Sequence, residues 1–220
     1  MTTNKTLKST NAFAKDYDDH IQTKTWFAPD VIFGLLYSYL KPGDILLDIG
    51  IGTGLSALPF HHAGLEIYGV DGSEEMIRIC KSKRFVKELK QVDLCHFKSP
   101  LFNILFDIII SVGVFHFFED LGPLIQETSE RTKASGMFGF TTFRFEPKRD
   151  DGFISASVEG VYQKIASHLD IQMYQHDPEY IKKTLRKNDF ILLKKIEFLA
   201  FQDPDEHSEY YLSGYIAQKK

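Results

Sequence analysis

Three acids recur in the first half of the chain, each closing a short run of strand-forming residues: Asp48, Asp71 and Asp93. The first opens Asp48-Ile49-Gly50-Ile51-Gly52-Thr53-Gly54, where glycine alternates with other residues. A missing Cβ permits left-handed dihedrals and lets a ligand touch the backbone. Asp71 closes Tyr68-Gly69-Val70-Asp71, about 20 residues on, where an acid suits the hydroxyls of a ribose. Asp93, in Gln91-Val92-Asp93-Leu94, can accept from an adenine amine while Leu94 packs the ring, or can cap the turn that follows. Met76 has a polarisable thioether that suits either an adenine face or ordinary core. His116 lies in the longest apolar region, Ile108 to Phe118, after the central strand's end, and is a candidate general base, the alternative being a ring packed beneath a cofactor. His61 and His62 have no third ligand in view, and no grouping shows metal spacing.

The elements that must position these residues are short. Ile45 to Leu47 read as a buried strand ending at Asp48, at the edge where open α/β sheets bind ligands. Leu55, Ala57, Leu58 and Phe60 predict a helix directly after the glycine turn, its free N–H groups facing the ligand. Ser73 caps a helix bearing Met76, Ile77, Ile79 and Cys80, and the basic run through Lys90 reads as its solvated end. Leu105 to Ser111 is almost continuously apolar, as a central parallel strand should be. Leu121 to Thr132 is a helix and Gly136 to Phe143 a strand. Asp177-Pro178-Glu179 starts another helix, and Phe190 to Phe201 with Tyr210 to Ala217 form an antiparallel pair around the acidic loop from Asp203 to Ser208. The order predicts an α/β fold: a Rossmann-like, doubly wound, mostly parallel seven-stranded sheet with an antiparallel last strand.

Before this sheet, residues 1–10 read as a frayed polar tail, and Asn11 to Tyr39 as two helical pieces split at Pro29. Tyr17, His20, Trp26 and Phe27 lie in the first piece, which suggests a lid over the site or aromatics packed on the domain. The organisation expected is a tail and helical cap over 1–40 and the main domain over 41–220. Its insertion at about 144–175 is a polar loop followed by a helix or partly ordered segment.

Composition bounds the function. A chain of 220 residues with 43% hydrophobic content supports one sizeable core. Net charge −4 argues against nucleic acid as a partner. The two cysteines, Cys80 and Cys95, form no Cys-x-x-Cys pair, which suits a reducing cytoplasm. No apolar stretch is long enough to span a bilayer. A cytoplasmic monomer or dimer is expected.

The dinucleotide fingerprint wants glycine or alanine where Leu55 stands. Asp48-x-Gly50-x-Gly52-x-Gly54 with Asp71, Asp93-Leu94 and Phe106-Asp107 through Phe118 instead resembles the class I S-adenosylmethionine-dependent methyltransferases, over roughly Asn11 to Gln218. Phe13-Ala14-x-x-Tyr17-Asp18 and Tyr174-x-His176-x-Pro178-x-Tyr180 look like a small stand-alone type related to methyltransferases fused to TPR repeats. The resemblance implies S-adenosylmethionine as cofactor and S-adenosylhomocysteine as product. It would set the methionine moiety against Gly50, Ile51 and Gly52, with Asp48 near the ammonium and the Ser111 backbone at the methionine end. Asp71 would hold the ribose, and Gly72, Met76, Asp93 and Leu94 the adenine, with Tyr17 and Trp26 of the cap also on the cofactor. Gly72 departs from the larger apolar residue usual there, and the Asn/Asp-Pro-Pro-Tyr/Phe signature of nucleic-acid amino methylation is absent. In-line methyl transfer to a small-molecule acceptor is the expected activity. A non-catalytic cofactor-binding regulatory module and a nicotinamide-dependent reductase are the alternatives.

Overall fold

The computed structural model describes residues 4–23, 25–97, 102–146, 152–166, 171–203 and 208–220. Parts of the loops expected around 147–151 and 204–207, the insertion's residues 167–170 and the side chains of Phe13 and His20 lie outside what is described. The chain builds a seven-stranded sheet from β1 (Ile45–Ile49), β2 (Glu66–Asp71), β3 (Val86–Gln91), β4 (Phe106–Ser111), β5 (Thr132–Phe143), β9 (Phe190–Asp203) and β10 (Ser208–Lys219). Its order is β3-β2-β1-β4-β5-β10-β9. The strands from β3 to β5 pair in parallel, and β10 pairs antiparallel with both β5 and β9. The expected doubly wound sheet with an antiparallel last strand is what forms.

The pleat sends successive side chains to opposite faces, and both faces are buried. Leu47, Ile49 and Ile109 join one core layer with Ile125, Ile181 and Leu185, which come from α6 (Gly122–Arg131) and α7 (Pro178–Lys187). Leu46, Ile108 and Ile110 join the other with Ile32, Phe60 and Cys80. Those three come from α3 (Ala28–Leu36), α4 (Leu58–His62) and α5 (Glu74–Ser82). Asp48 alternates onto this second side. Local capping agrees with the sequence: the Ser73 hydroxyl accepts from the Met76 N–H, and the Asp177 carboxylate accepts from the Glu179 N–H.

Four expectations are corrected. The polar tail is helical from its fourth residue: α1 (Asn4–Phe13) leads through a 3₁₀ turn into α2 (Tyr17–Thr23). Its support is tertiary. Leu7 lies over Gly72, and Asn11 receives the Ser73 hydroxyl at 2.5 Å. The basic run does not stay on a helix end, because Lys87 and Lys90 belong to edge strand β3, where charge discourages pairing with another chain. The insertion is β rather than helical: β6 (Ile154–Ser155), β7 (Val161–Ala166) and β8 (Ile171–His176) form an antiparallel sheet. β-branched and aromatic residues such as Val161, Tyr162, Ile165, Ile171 and Tyr174 favour that pleat. Finally, the helix after the glycine turn starts only at Leu58 and spans five residues. Gly54, at φ +94°, cannot be helical, and Pro59 suits a first helical turn.

Candidate functional site

Asp48 is the next-to-last residue of β1, on the same face of the sheet as Leu46. It is 1% exposed, and neither carboxyl oxygen has a hydrogen-bond partner. Burial first, then the charge of Asp71, holds its carboxyl well above the usual carboxylate range. A buried, unpartnered carboxyl is costly, and a site that keeps one calls for a cationic or donor-rich ligand.

Four backbone donors of the glycine turn that follows are paired within the protein. The N–H groups of Gly50 and Ile51 both donate to the Val70 carbonyl, at 2.8 and 3.0 Å, and the Gly54 N–H donates to Ile51. The Gly52 N–H donates to Asp71 Oδ2 at 2.8 Å. The three glycines also differ in kind. A Cβ on Gly50 would run into Val114, and one on Gly54 would lie 2.8 Å from Phe85 and 3.0 Å from Cys80. Around Gly52, at φ +54°, there is open space. Ile51 turns its side chain inward, against the bare backbone of Gly69, leaving only its main chain for a ligand.

Asp71 also accepts from the Ser73 N–H at 2.8 Å. Burial raises its pKa against the opposing backbone bonds from Ser73, Gly52 and Gly72. A carboxylate has about four acceptor positions, so with these three bonds made there is still room for a ribose hydroxyl. Gly72 is covered by Leu7, whose Cδ2 lies 2.7 Å from where a Cβ would stand. The missing larger side chain is thus made good from α1. Met76 is buried in α5, and Leu94 in the core layer beside α6. Asp93 caps the short turn after β3, accepting from the Cys95 N–H at 2.9 Å, the capping role the sequence left open beside adenine recognition.

The cap converges on the same place. Asp18 of α2 accepts from the Thr53 hydroxyl at 2.5 Å and pairs with Lys83 at 2.5 Å. Tyr17 beside it feels Asp18, Asp71 and Asp48, and burial chiefly pushes its phenol up to about 12. Tyr17 is therefore a neutral donor among acids. Trp26 lies further along, with its indole 3.3 Å from the Cβ position of Gly113 and a backbone bridge to Phe201.

On the far side of β4, the Ser111 hydroxyl donates to the Ile49 carbonyl at 2.9 Å, and the Gly113 N–H donates to Thr141 Oγ1 at 2.9 Å. His116 is wedged between Phe117 and Phe143, with ring centroids 4.2 and 4.3 Å away. Its Nδ1 is buried without a partner. Burial, with a smaller effect of His176, pushes its pKa down to about 3. His176 was visible in the sequence only through the Tyr174-x-His176 pattern and carried no assigned role. Its Nε2 lies 3.0 Å from the Phe118 carbonyl and 3.1 Å from that of Glu119, so Nε2 carries the proton. Burial holds its pKa near 4. Among the described residues, no group of three or more His, Cys, Asp or Glu could hold a metal, and no helix is long and apolar enough to cross a membrane.

These shifts set opposite pH limits for the empty protein. Asp48 and Asp71 have raised folded pKa values, so their contribution to stability is full below the ordinary carboxylate value and falls as pH rises from there. His116 and His176 have lowered ones, so theirs is present above the ordinary imidazole value near 6.5 and is lost as pH falls toward 4 and 3. Thermal melts of the empty protein are expected to peak between these limits. Asp48→Asn should flatten the decline on the alkaline side; an unaltered pH profile would show that the Asp48 carboxyl is solvated.

Comparison with known proteins bears on this geometry. Residues 47–140 match the family described as methyltransferase domain. The uncharacterized methyltransferase YcgJ of Bacillus subtilis is 33% identical over 99 residues, which is 42% of this chain and 38% of that protein. The curated relatives are matched over little more than a third of their own length. Among solved structures, the methyltransferase seen in complex with the Trm112 activator of Haloferax volcanii superposes with TM-score 0.72 at 15% identity, covering 94% of this chain and 96% of that one. Magnesium protoporphyrin IX methyltransferase of Synechocystis, solved with S-adenosylmethionine bound, gives TM-score 0.61 at 20% identity, covering 91% and 80%. Asp48, the glycine turn, Asp71, Asp93, Ser111 and His116 all fall inside the matched stretch, which supports the resemblance of these motifs to the class I S-adenosylmethionine-dependent methyltransferases.

Proposed function

We propose that this protein transfers the methyl group of S-adenosylmethionine to a small-molecule acceptor by in-line displacement. The observation that carries the reading is the pairing of a buried, unpartnered Asp48 with a glycine turn in which the N–H groups of Gly50, Ile51, Gly52 and Gly54 are taken up by the protein itself. A pyrophosphate needs N–H donors and would meet a carboxyl instead, which argues against the nicotinamide reductase. An amino acid's ammonium needs acceptors, and here Asp48 and the turn's carbonyls supply them. Asp71 would take a ribose hydroxyl on its remaining acceptor position. Gly52 would let the ligand approach the backbone, Met76 and Leu94 would border the adenine, and Asp93 would offer its edge an acceptor.

The bound cofactor supplies a sulfonium methyl that is already electrophilic, so the protein's task is alignment more than proton removal. His116 fits that division. An imidazole held neutral, with a pKa near 3, is a poor base at neutral pH, and its place after β4 suits contact with the acceptor. Calorimetric titration tests the reading: S-adenosylhomocysteine should bind and NADH should not. NADH binding alone would overturn it.

The cap completes the proposal. Asp18, Asn11 and Leu7 tie it to the turn and to the start of α5, the parts of the site that a cofactor would touch, which suits a segment that closes over the ligand to exclude water. Amide exchange over residues 11–27 is expected to slow when S-adenosylhomocysteine binds, with a parallel change in Trp26 fluorescence. Exchange as slow as that of β4 in the empty protein would make the cap part of the core.

A further inference from the structure

The Asp71 carboxylate sits in a ring of hydrogen bonds that the cap closes. Its Oδ1 accepts from the Ser73 N–H and its Oδ2 from the Gly52 N–H, each at 2.8 Å, so each oxygen is tied to a different turn. One bond further out, both turns reach the cap. The Ser73 hydroxyl donates to Asn11 Oδ1 at 2.5 Å, and the Glu75 N–H donates to the same oxygen at 3.4 Å. Next to Gly52, the Thr53 hydroxyl donates to Asp18 Oδ1 at 2.5 Å. Asn11 belongs to α1 and Asp18 to α2, joined by the 3₁₀ turn Ala14–Asp16. The ring therefore runs from Asn11 through Ser73, Asp71, Gly52, Thr53 and Asp18, and returns along the cap's own backbone.

Burial gives the ring its weight. Ser73 and Thr53 are 0% and 1% exposed, so with the cap in place a hydroxyl that lost its cap partner would be shielded from water and left unpaired. The Ser73 hydroxyl also accepts from the Met76 N–H at 3.2 Å, and turning it away from Asn11 would disturb the first turn of α5. The other oxygen of Asp18 pairs at 2.5 Å with Lys83, which caps the far end of α5. The cap thus holds α5 at both ends, Asn11 at its start and Asp18 at its finish, and Asp18 joins that helix to the glycine turn.

We propose that Asn11 and Asp18 are positioning residues for the cofactor's ribose, acting through Ser73 and Thr53 to hold the Asp71 carboxylate in one orientation. This rests on the S-adenosylmethionine reading above, and it gives the cap a task beyond excluding water. A carboxylate bonded on its two oxygens by two separate turns can rotate only when one of the turns moves, and each turn is anchored by the cap. The ribose then meets an acceptor that is already aimed, so less freedom is lost on binding. Docking of the cap and binding of the ribose become one coupled event, each strengthening the other by the same factor.

Calorimetric titration of S-adenosylhomocysteine into the full chain, with thermal melts on the same samples, tests the assignment. Asn11→Ala and Asp18→Ala should each weaken binding about tenfold, the scale of a buried hydrogen bond left unmade. Asp18→Asn keeps an acceptor for Thr53 and gives up only the half-buried pair with Lys83, so its affinity should stay within about threefold of wild type. A double-mutant cycle supplies the deciding measurement. In an Asp71→Ala background, Asn11→Ala should cost less than about twofold, because the group it positions is gone. A cap that merely covered the ligand would cost the same factor in both backgrounds. Equal losses in the two backgrounds would overturn the assignment, and so would single variants that melt lower yet bind like wild type. A wild-type protein that fails to bind S-adenosylhomocysteine would remove the cofactor reading and this assignment with it, a result seen before any variant is made.

Discussion

Replacing Gly52 by valine is expected to abolish cofactor binding in a protein that still folds. Two effects act together at that position. A β-branched residue at φ +54° is strained by roughly 1–3 kcal/mol, which the empty protein bears as lost stability. The larger effect is on the ligand, because the side chain would enter the open space that surrounds Gly52. Affinity for S-adenosylhomocysteine should fall by more than about 100-fold, equivalent to some 2.7 kcal/mol. Gly50→Ala and Gly54→Ala provide the contrast. Their new Cβ atoms would strike Val114, or Phe85 and Cys80, so the primary damage should be a lowered melting temperature. If Gly52→Val binds S-adenosylhomocysteine like wild type, the turn is structural at all three positions.

Asp71→Ala should weaken S-adenosylhomocysteine binding by about 1.5–3 kcal/mol, the scale of hydrogen bonds to a charged group. The loss has two parts. A ribose hydroxyl would lose its acceptor, and the Gly52 and Ser73 N–H groups would lose theirs, loosening the turn that Gly52 belongs to. The empty protein should therefore also melt at a lower temperature, an effect that placing Asp71 merely at the site's edge would not produce. Asp71→Asn keeps one carbonyl acceptor and should recover part of the stability but less of the affinity. Calorimetry and thermal melts on the same samples separate the two parts. An unchanged dissociation constant in Asp71→Ala would remove the ribose assignment.

Much of this was legible because it is local. The strand-end acids and the capping residues Ser73 and Asp177 act within a few positions of themselves, and the alternating glycines announce a turn. What was not legible depends on partners distant in the chain. Residues 4–10 look too polar to order, and their helix is held by Leu7 over Gly72 and by Asn11 on Ser73, 62 positions away. Lys87 and Lys90 read as a helix end because the pattern does not say that the next strand lies at the sheet's edge. The 144–175 segment carries strand-forming residues, but its turns fall among polar stretches that equally suit loops. The division of labour among Gly50, Gly52 and Gly54 was also hidden, since it depends on Val114, Phe85 and Cys80 arriving from elsewhere.

The strand order has a consequence for how the protein is made. β9 reaches the sheet only through β10, which inserts between it and β5. On the ribosome, β9 emerges before the strand that must hold it, so until β10 follows it has no place in the sheet. Trp26 and Phe27, synthesised long before, fasten to the far end of that same β9. The anchor of the cap is thus completed only once β10 has followed β9 out of the ribosome. Cofactor binding, to the extent that it needs the closed cap, becomes a signal that synthesis has run through β10.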